Sequence, residues 1–274
     1  MKKLCTSIFL LALFGAVNSQ QTNPLIPAEK ATQSALKSKV MGTGLEVLPP
    51  TQESADKPAN NATQKSIYTE WIVGNTYYDL QSNSSVMPRL SNLDGDMAGV
   101  FTMSYQPSGY TDRGTGYAVS TNEFWSESPT ERIESIRTGW PSLLQLGDGS
   151  EVVISHDFPT QLVLLKRAQT GTGAWTESIL THDVPEGISW NRAVAGGSDG
   201  NTIHLIAITM PGANQTAEPP LTYQGLDGAL LYSRSQDGGE TWDIDNLVIP
   251  GIDSTFFIGF SADQYAIHAR GNKV

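Results

Sequence analysis

The residues that could do chemistry are few and widely spaced. His156, His204 and His268 each fall near the end of a short apolar run, and His182 stands beside Asp183. Imidazoles contributed by three repeats could ring a metal ion, but none has the close local partner that a ligand pair requires. Repeat position alone accounts for their recurrence, which predicts histidines that line a core or channel, and no metal. Asp112-Arg113, followed by Gly114, reads either as a turn salt bridge or as a charged pair on a central face. Tyr105, Tyr110 and Trp125 could stack on sugar rings or fill a core. Gly171-Thr172-Gly173 falls at a hairpin with no helix behind it, so it is not a phosphate cradle. No Ser-His-Asp arrangement emerges from the spacing, and no cofactor is expected.

These residues must be positioned by strands. From Ile67 onward, short apolar or alternating runs recur between Gly, Asp and Asn clusters: 98–103, 116–120, 143–146, 151–155, 162–165, 202–208 and 229–232. Runs of this length with turn signals between them predict an all-β domain. The runs also repeat as sets. Trp125, Trp175 and Trp242 each close a turn after a short strand. In a second series, Gly139-Trp140-Pro141-Ser142 leads to Asp148-Gly149, Ser189-Trp190-Asn191-Arg192 leads to Asp199-Gly200, and 257–260 leads to Asp263 and a strand over 265–269. A period of about 40 to 50 residues with four short strands per unit predicts propeller blades, about four of them. The insertion 211–223 lengthens one unit.

One segment is specific enough to name. Ser235-Gln236-Asp237-Gly238-Gly239-Glu240-Thr241-Trp242 resembles the Asp-box, Ser-x-Asp-x-Gly-x-Thr-Trp, of sialidase-like β-propellers. Side-chain oxygens of Asp and Ser can bond the turn's own amides, and glycine accepts a positive φ. Ser235, Asp237, Gly239, Thr241 and Trp242 are therefore expected in a structural role. Residues 169–175 look like a decayed copy, and 117–125 keeps the length and Ser120. A wider resemblance carries Tyr77-Tyr78-Asp79-Leu80-Gln81, 112–117 and Arg137-Thr138-Gly139-Trp140-Pro141-Ser142. These strings look like the opening blades of large exported Bacteroidetes proteins, which usually end in a type IX secretion sorting domain. The resemblance implies a sialidase-like propeller that is incomplete relative to a six- or seven-bladed ring.

Sialidases hold a substrate carboxylate with arginines, whose guanidinium forks match carboxylates and stay charged. The family places the first in an Arg-Ile-Pro motif. Here the comparable place reads Met87-Pro88-Arg89-Leu90, so Arg89 is a scrambled counterpart. Arg113, with Asp112, and Arg192, in Trp190-Asn191-Arg192, complete the candidates that the resemblance suggests. The expected function is a non-catalytic propeller that binds a glycan or a cell-surface protein, with an exo-sialidase or related glycoside hydrolase as the alternative.

Export is the remaining expectation. Lys2 and Lys3, an apolar stretch over 8–17 and Val17-Asn18-Ser19 make up the three-part layout of a signal peptide over 1–19. The apolar stretch is too short to span a bilayer, and no membrane insertion is expected. Residues 20–65 are polar and lack aromatic side chains, as expected of a flexible linker before a propeller over 66–274. The single cysteine, Cys5, lies in the signal, so disulfides are not expected to hold the mature chain. A net charge of −11 argues against nucleic acid and anionic membranes as partners, since both select basic patches.

Overall fold

A computed structural model describes residues 71–81, 86–93, 95–121, 124–157, 161–180, 184, 187–261 and 264–274. The expected signal peptide, the expected linker, His182 and Asp263 lie outside the described residues. The fold is all-β, with one short 3-10 turn at Gly212–Asn214 among the described residues. Among the described residues, twelve strands form three antiparallel sheets of four. The first contains β1 (Leu90–Leu93), β2 (Asp96–Met103), β3 (Gly114–Thr121) and β4 (Phe124–Trp125). The second contains β5 (Gly139–Gln145), β6 (Glu151–Asp157), β7 (Gln161–Arg167) and β8 (Thr176–Leu180). The third contains β9 (Ile188–Gly196), β10 (Thr202–Thr209), β11 (Leu230–Ser235) and β12 (Ile244–Val248). Each sheet pairs its strands in chain order, which is the arrangement of a propeller blade, and the three together are a partial β-propeller.

Residues 249–274, where a further strand was expected at 265–269, form no strand among their described positions and hold only isolated bridges. They dock on the third blade instead. Asp227 N donates to Ile258 O at 2.7 Å, Phe260 N to Gly228 O at 2.9 Å and Gly197 N to Gly271 O at 2.8 Å. With its backbone donors and acceptors taken up singly in this way, the segment has no continuous partner edge on which to extend.

Blades two and three share one irregularity. Gly139 pairs with His156 and Ser142 with Ile154, while Ser189 pairs with Ile208 and Arg192 with Ile206. Each innermost strand therefore carries one extra residue at its start, a β-bulge. The tryptophans there, Trp140 and Trp190, have φ of 51° and 49°. A bulky residue held at positive φ is strained and persists only where its surroundings enforce it. The enforcement comes from the preceding blade: Trp140 N donates to Thr102 Oγ1 and Trp190 N to His156 Nδ1, each at 3.2 Å. Three residues further on, Leu143 N donates to Pro88 O and Ala193 N to Ser142 Oγ. Backbone donors at matching positions, with different acceptors, thus lock blade two to blade one and blade three to blade two.

Apolar packing follows the blade interfaces. One core, including Ile154, Leu162, Leu164, Ala193, Ile203, Leu205 and Leu231, runs through blades two and three. A smaller one, with Ala98, Val100, Leu143, Val153 and Leu165, joins blades one and two. Inside that joint lies a buried ion pair, Arg167 Nη2 to Glu151 Oε2 at 2.6 Å. The guanidinium is held between the Tyr117 and Trp175 rings, at 4.4 and 4.1 Å from their centroids. The Tyr117 hydroxyl donates to the same carboxylate at 3.1 Å. Charge, donors and aromatic faces are all matched, which is the condition for burying ions at tolerable cost.

The turn between β11 and β12 is closed by its own side chains. Gly239 N donates to Ser235 Oγ at 2.8 Å, the Ser235 hydroxyl donates to Asp237 Oδ1, and Thr241 donates to Asp237 through both its amide and its hydroxyl. Gly239 sits at φ 94°, in the region that disfavours side chains. These bonds hold the Asp237 carboxyl down at about 2 although desolvation opposes them. Trp242 packs against the core of blades two and three.

Candidate functional site

The densest group of chemistry-bearing side chains lies where the β2–β3 loop meets the bulged start of β5 and the end of β6. Asp112 closes that loop on itself: its carboxylate accepts from the Ser104 hydroxyl and from Tyr105 N at 2.8 Å. Those bonds lower the Asp112 pKa against the opposing effect of desolvation. Its neighbour Arg113 turns inward and is 6% exposed. Arg113 Nε donates to Thr138 O at 2.8 Å, and Thr138 N returns a bond to Arg113 O. The guanidinium carbon lies 5.3 Å from both the Tyr78 and the Trp140 ring centroids. Asp112 and Arg113 are therefore not the turn salt bridge that their adjacency suggested; the carboxylate whose charge reaches Arg113 is Asp157. Burial, with the nearby Arg137 charge, lowers the Arg113 pKa.

His156 connects this group to the third blade. Its ring stacks on Trp140 with centroids 5.1 Å apart and planes 15° apart, and its Nδ1 accepts from Trp190 N. Complete burial pulls the imidazole down to about 3, and the charges of Arg113 and Arg192 act in the same direction. The histidine is neutral at physiological pH. Asp157, next along β6, is half-buried. Burial raises its carboxyl pKa, against the opposing pull of Gln161, Arg137 and Arg113. Arg137 Nε donates to Tyr110 O at 2.8 Å, and Tyr110 packs edge-on to Tyr78 with centroids 5.0 Å apart. The group thus combines guanidinium groups, aromatic faces, one buried neutral imidazole and one carboxyl whose pKa is raised.

The other candidates are placed differently. Arg192 on β9 is fully buried, donates to Asn191 O at 2.9 Å and faces the Tyr265 ring at 5.7 Å. Its charge reaches His156, so Arg113 and Arg192 flank one site. Arg89 lies on the segment before β1. It donates to Gln81 Oε1 at 2.7 Å and to Gln81 O, while the Gln81 amide bridges Tyr78 O and Thr102 O. Arg89 thereby ties the 78–89 segment to β2. Asp112 lines a separate cleft of about 450 Å³ with Arg132 and Glu134, whose polar groups already serve the surrounding chain. Arg132 bonds four carbonyls, and Glu134 accepts from Thr115 and Ser155.

The histidines do not occupy matching places. His156 lies at the end of β6 and His204 at the start of the equivalent strand β10, so they sit at opposite rims. The register puts Ile208 opposite Ser189, where His156 faces Gly139. His204 Nδ1 instead bonds the Tyr232 hydroxyl at 2.7 Å. His268 is exposed beside the cleft lined by the innermost strands. No group of three or more potential metal ligands occurs among the described residues. Sequence reasoning missed Tyr78, Trp140, Asp157 and Arg137 as site residues. The available signal was the repeated Trp at 140 and 190, each near the start of its blade's first strand.

No family model matches the chain, and no curated protein matches it. Among solved structures, the chain is similar to Bacteroides ovatus Xyloglucan PUL GH43B at 16% identity and a TM-score of 0.37, covering 61% of this chain and 30% of that one. A protein of unknown function from Dyadobacter fermentans is similar at 16% identity and a TM-score of 0.40, over 60% of this chain and 56% of that one. The exo-beta-1,3-galactanase 1,3Gal43A from Clostridium thermocellum follows at 13% and 0.31, over 67% and 53%. The chain spans less than a third of the first of these and little more than half of the other two.

Proposed function

We propose that the protein is an exported, sialidase-like propeller with an Asp-box at 235–242 that binds a glycan outside the cell without cleaving it. The observation that carries this reading is the composition of the rim. Arg137 and Tyr110, both half-buried, supply a guanidinium and an aromatic face, whereas the described part of the rim offers a single carboxyl, Asp157, beside them. Glycoside cleavage by the usual route needs two carboxyl groups flanking the bond. Asp112 is turned into its own loop, and the Glu134 oxygens are engaged with Thr115 and Ser155.

A glycoside hydrolase, including an exo-sialidase, is the second reading, and Asp157 is what favours it, because a carboxyl with a raised pKa suits a general acid. The test is to screen the full-length protein against a glycan array and, in parallel, a fluorogenic sialoside and a panel of other glycosides. Glycan retention without turnover supports the binding reading. Turnover that is lost in Asp157→Asn replaces it with the hydrolase.

A further inference from the structure

Tyr110 is held in a conformation that its side chain disfavours. It sits at φ 48°, in the left-handed region that a bulky residue rarely adopts. Its neighbours enforce the position. Arg137 Nε and Arg113 N both donate to its carbonyl, at 2.8 and 3.1 Å, while Gln106 Oε1 accepts from the amide and the hydroxyl of Thr111, the next residue. Tyr78 meets the ring edge-on. Strain maintained by the surroundings in this way marks residues whose placement matters to binding. Its effect here is to fix a half-buried aromatic ring on the rim where Arg137 and Asp157, also half-buried, emerge.

Those two charges are close but unjoined. The register that pairs His156 with Gly139 brings Asp157 alongside the 137–138 segment, and its carboxyl feels the Arg137 charge. Among the described residues, Arg137 has no partner beyond Tyr110 O, and Asp157 accepts only from Gln161, at 3.5 Å. Arg113 and His156, by contrast, are used inside the protein, Arg113 on Thr138 O and the Tyr78 hydroxyl, His156 on Trp190 N and the Asn191 side chain. Adjacent hydroxyls of a pyranose match the open pair. One oxygen accepts from the guanidinium and its neighbour donates to the carboxylate, both as charge-assisted bonds. The Tyr110 ring suits the apolar C–H face of the same sugar. A sugar carboxylate fits less well, because Asp157 stands beside Arg137 and repels it. We propose that Tyr110, Arg137 and Asp157 are the ligand-contacting residues of the rim and select a neutral pyranoside over the matching uronate. The inference rests on the glycan-binding reading and names the class of sugar.

The test is titration of the full-length protein, followed by ligand-observed NMR, with the methyl glycosides of glucose, galactose and mannose and with the three uronates that match them. At least one neutral glycoside should bind, about tenfold more tightly than its uronate. Asp157→Asn removes the repelling charge and should erase that preference by gaining uronate binding. Tyr110→Ala should weaken the neutral sugar about three- to tenfold, whereas Tyr110→Phe keeps the ring and should bind nearly as well as the native protein. Thermal unfolding of each variant separates lost binding from lost fold. Should Tyr110→Ala fail to fold, Asp157→Asn decides the question, since Asp157 carries only the long bond from Gln161. A uronate or N-acetylneuraminate bound more tightly than every neutral glycoside overturns the proposal. So does neutral binding that Asp157→Asn and the Tyr110 variants leave unchanged. In both cases glycan binding itself stands. No binding of any of these sugars also overturns the proposal, and an empty glycan array beside it overturns the proposed function as well.

Discussion

Acidification should destabilise this protein chiefly through His156. The imidazole titrates at 6.5 in an unconstrained chain and at about 3 in the fold. Between those values the unfolded chain binds a proton that the folded chain refuses, so stability is complete above pH 6.5 and falls as the pH drops toward 3. The loss is about 1.4 kcal/mol per pH unit, about 3 kcal/mol by pH 4 and about 5 kcal/mol in all. That is a large share of the ~5–15 kcal/mol that holds a typical domain together. His156→Gln isolates the effect, because an amide oxygen can still accept the Trp190 amide hydrogen but does not titrate. Denaturant unfolding followed by tryptophan fluorescence at pH 7, 6, 5 and 4 gives both stability profiles. Asp237 and Asp243, both held near 2, lose stability only below the ordinary aspartate range, and they do so equally in the two proteins. His204, also lowered by burial, is likewise common to both. The wild-type profile should fall more steeply than that of the variant between pH 6.5 and 4. Parallel profiles would refute the placement of a neutral, buried imidazole between Arg113 and Arg192.

Removing one partner of the buried ion pair, as in Arg167→Ala or Glu151→Ala, should cost about 3–5 kcal/mol in denaturant unfolding, because a buried charge is left uncompensated. The double replacement Glu151→Leu with Arg167→Met should recover most of that loss. Gly147→Ala should destabilise by about 1–3 kcal/mol, since its Cβ would stand 1.8 Å from the Asp199 carbonyl oxygen and push blades two and three apart. Full stability of this variant in thermal unfolding would contradict the close approach of the two turns.

Legibility followed the range of the interactions involved. The runs at 98–103, 151–155 and 202–208 appear as β2, β6 and β10 because alternation and apolar content are written along the strand itself. The turn at 235–242 was equally plain, since Ser235, Asp237 and Thr241 bond one another within a few residues. The site was harder to read. Asp112 and Arg113 are adjacent in the chain, yet one bonds Ser104 and the other Thr138. The partners are set by which blade each side chain faces. The supposed match of His156 with His204 failed because offsets counted along the chain do not record the bulges at Trp140 and Trp190 or the cross-strand register.

By itself, then, the sequence determined a β-rich chain of repeated four-stranded units with one well-formed structural turn, all of which depend on local pattern. Tertiary structure alone decided that Arg113, Trp140 and His156 would meet, that Arg89 would be occupied by Gln81, and that the 249–274 segment would dock without forming a strand. The physical reason is that burial, register and the pairing of charges arise only when one blade closes on the next, and the side chains that meet at Trp140 come from separate strands and loops of the chain.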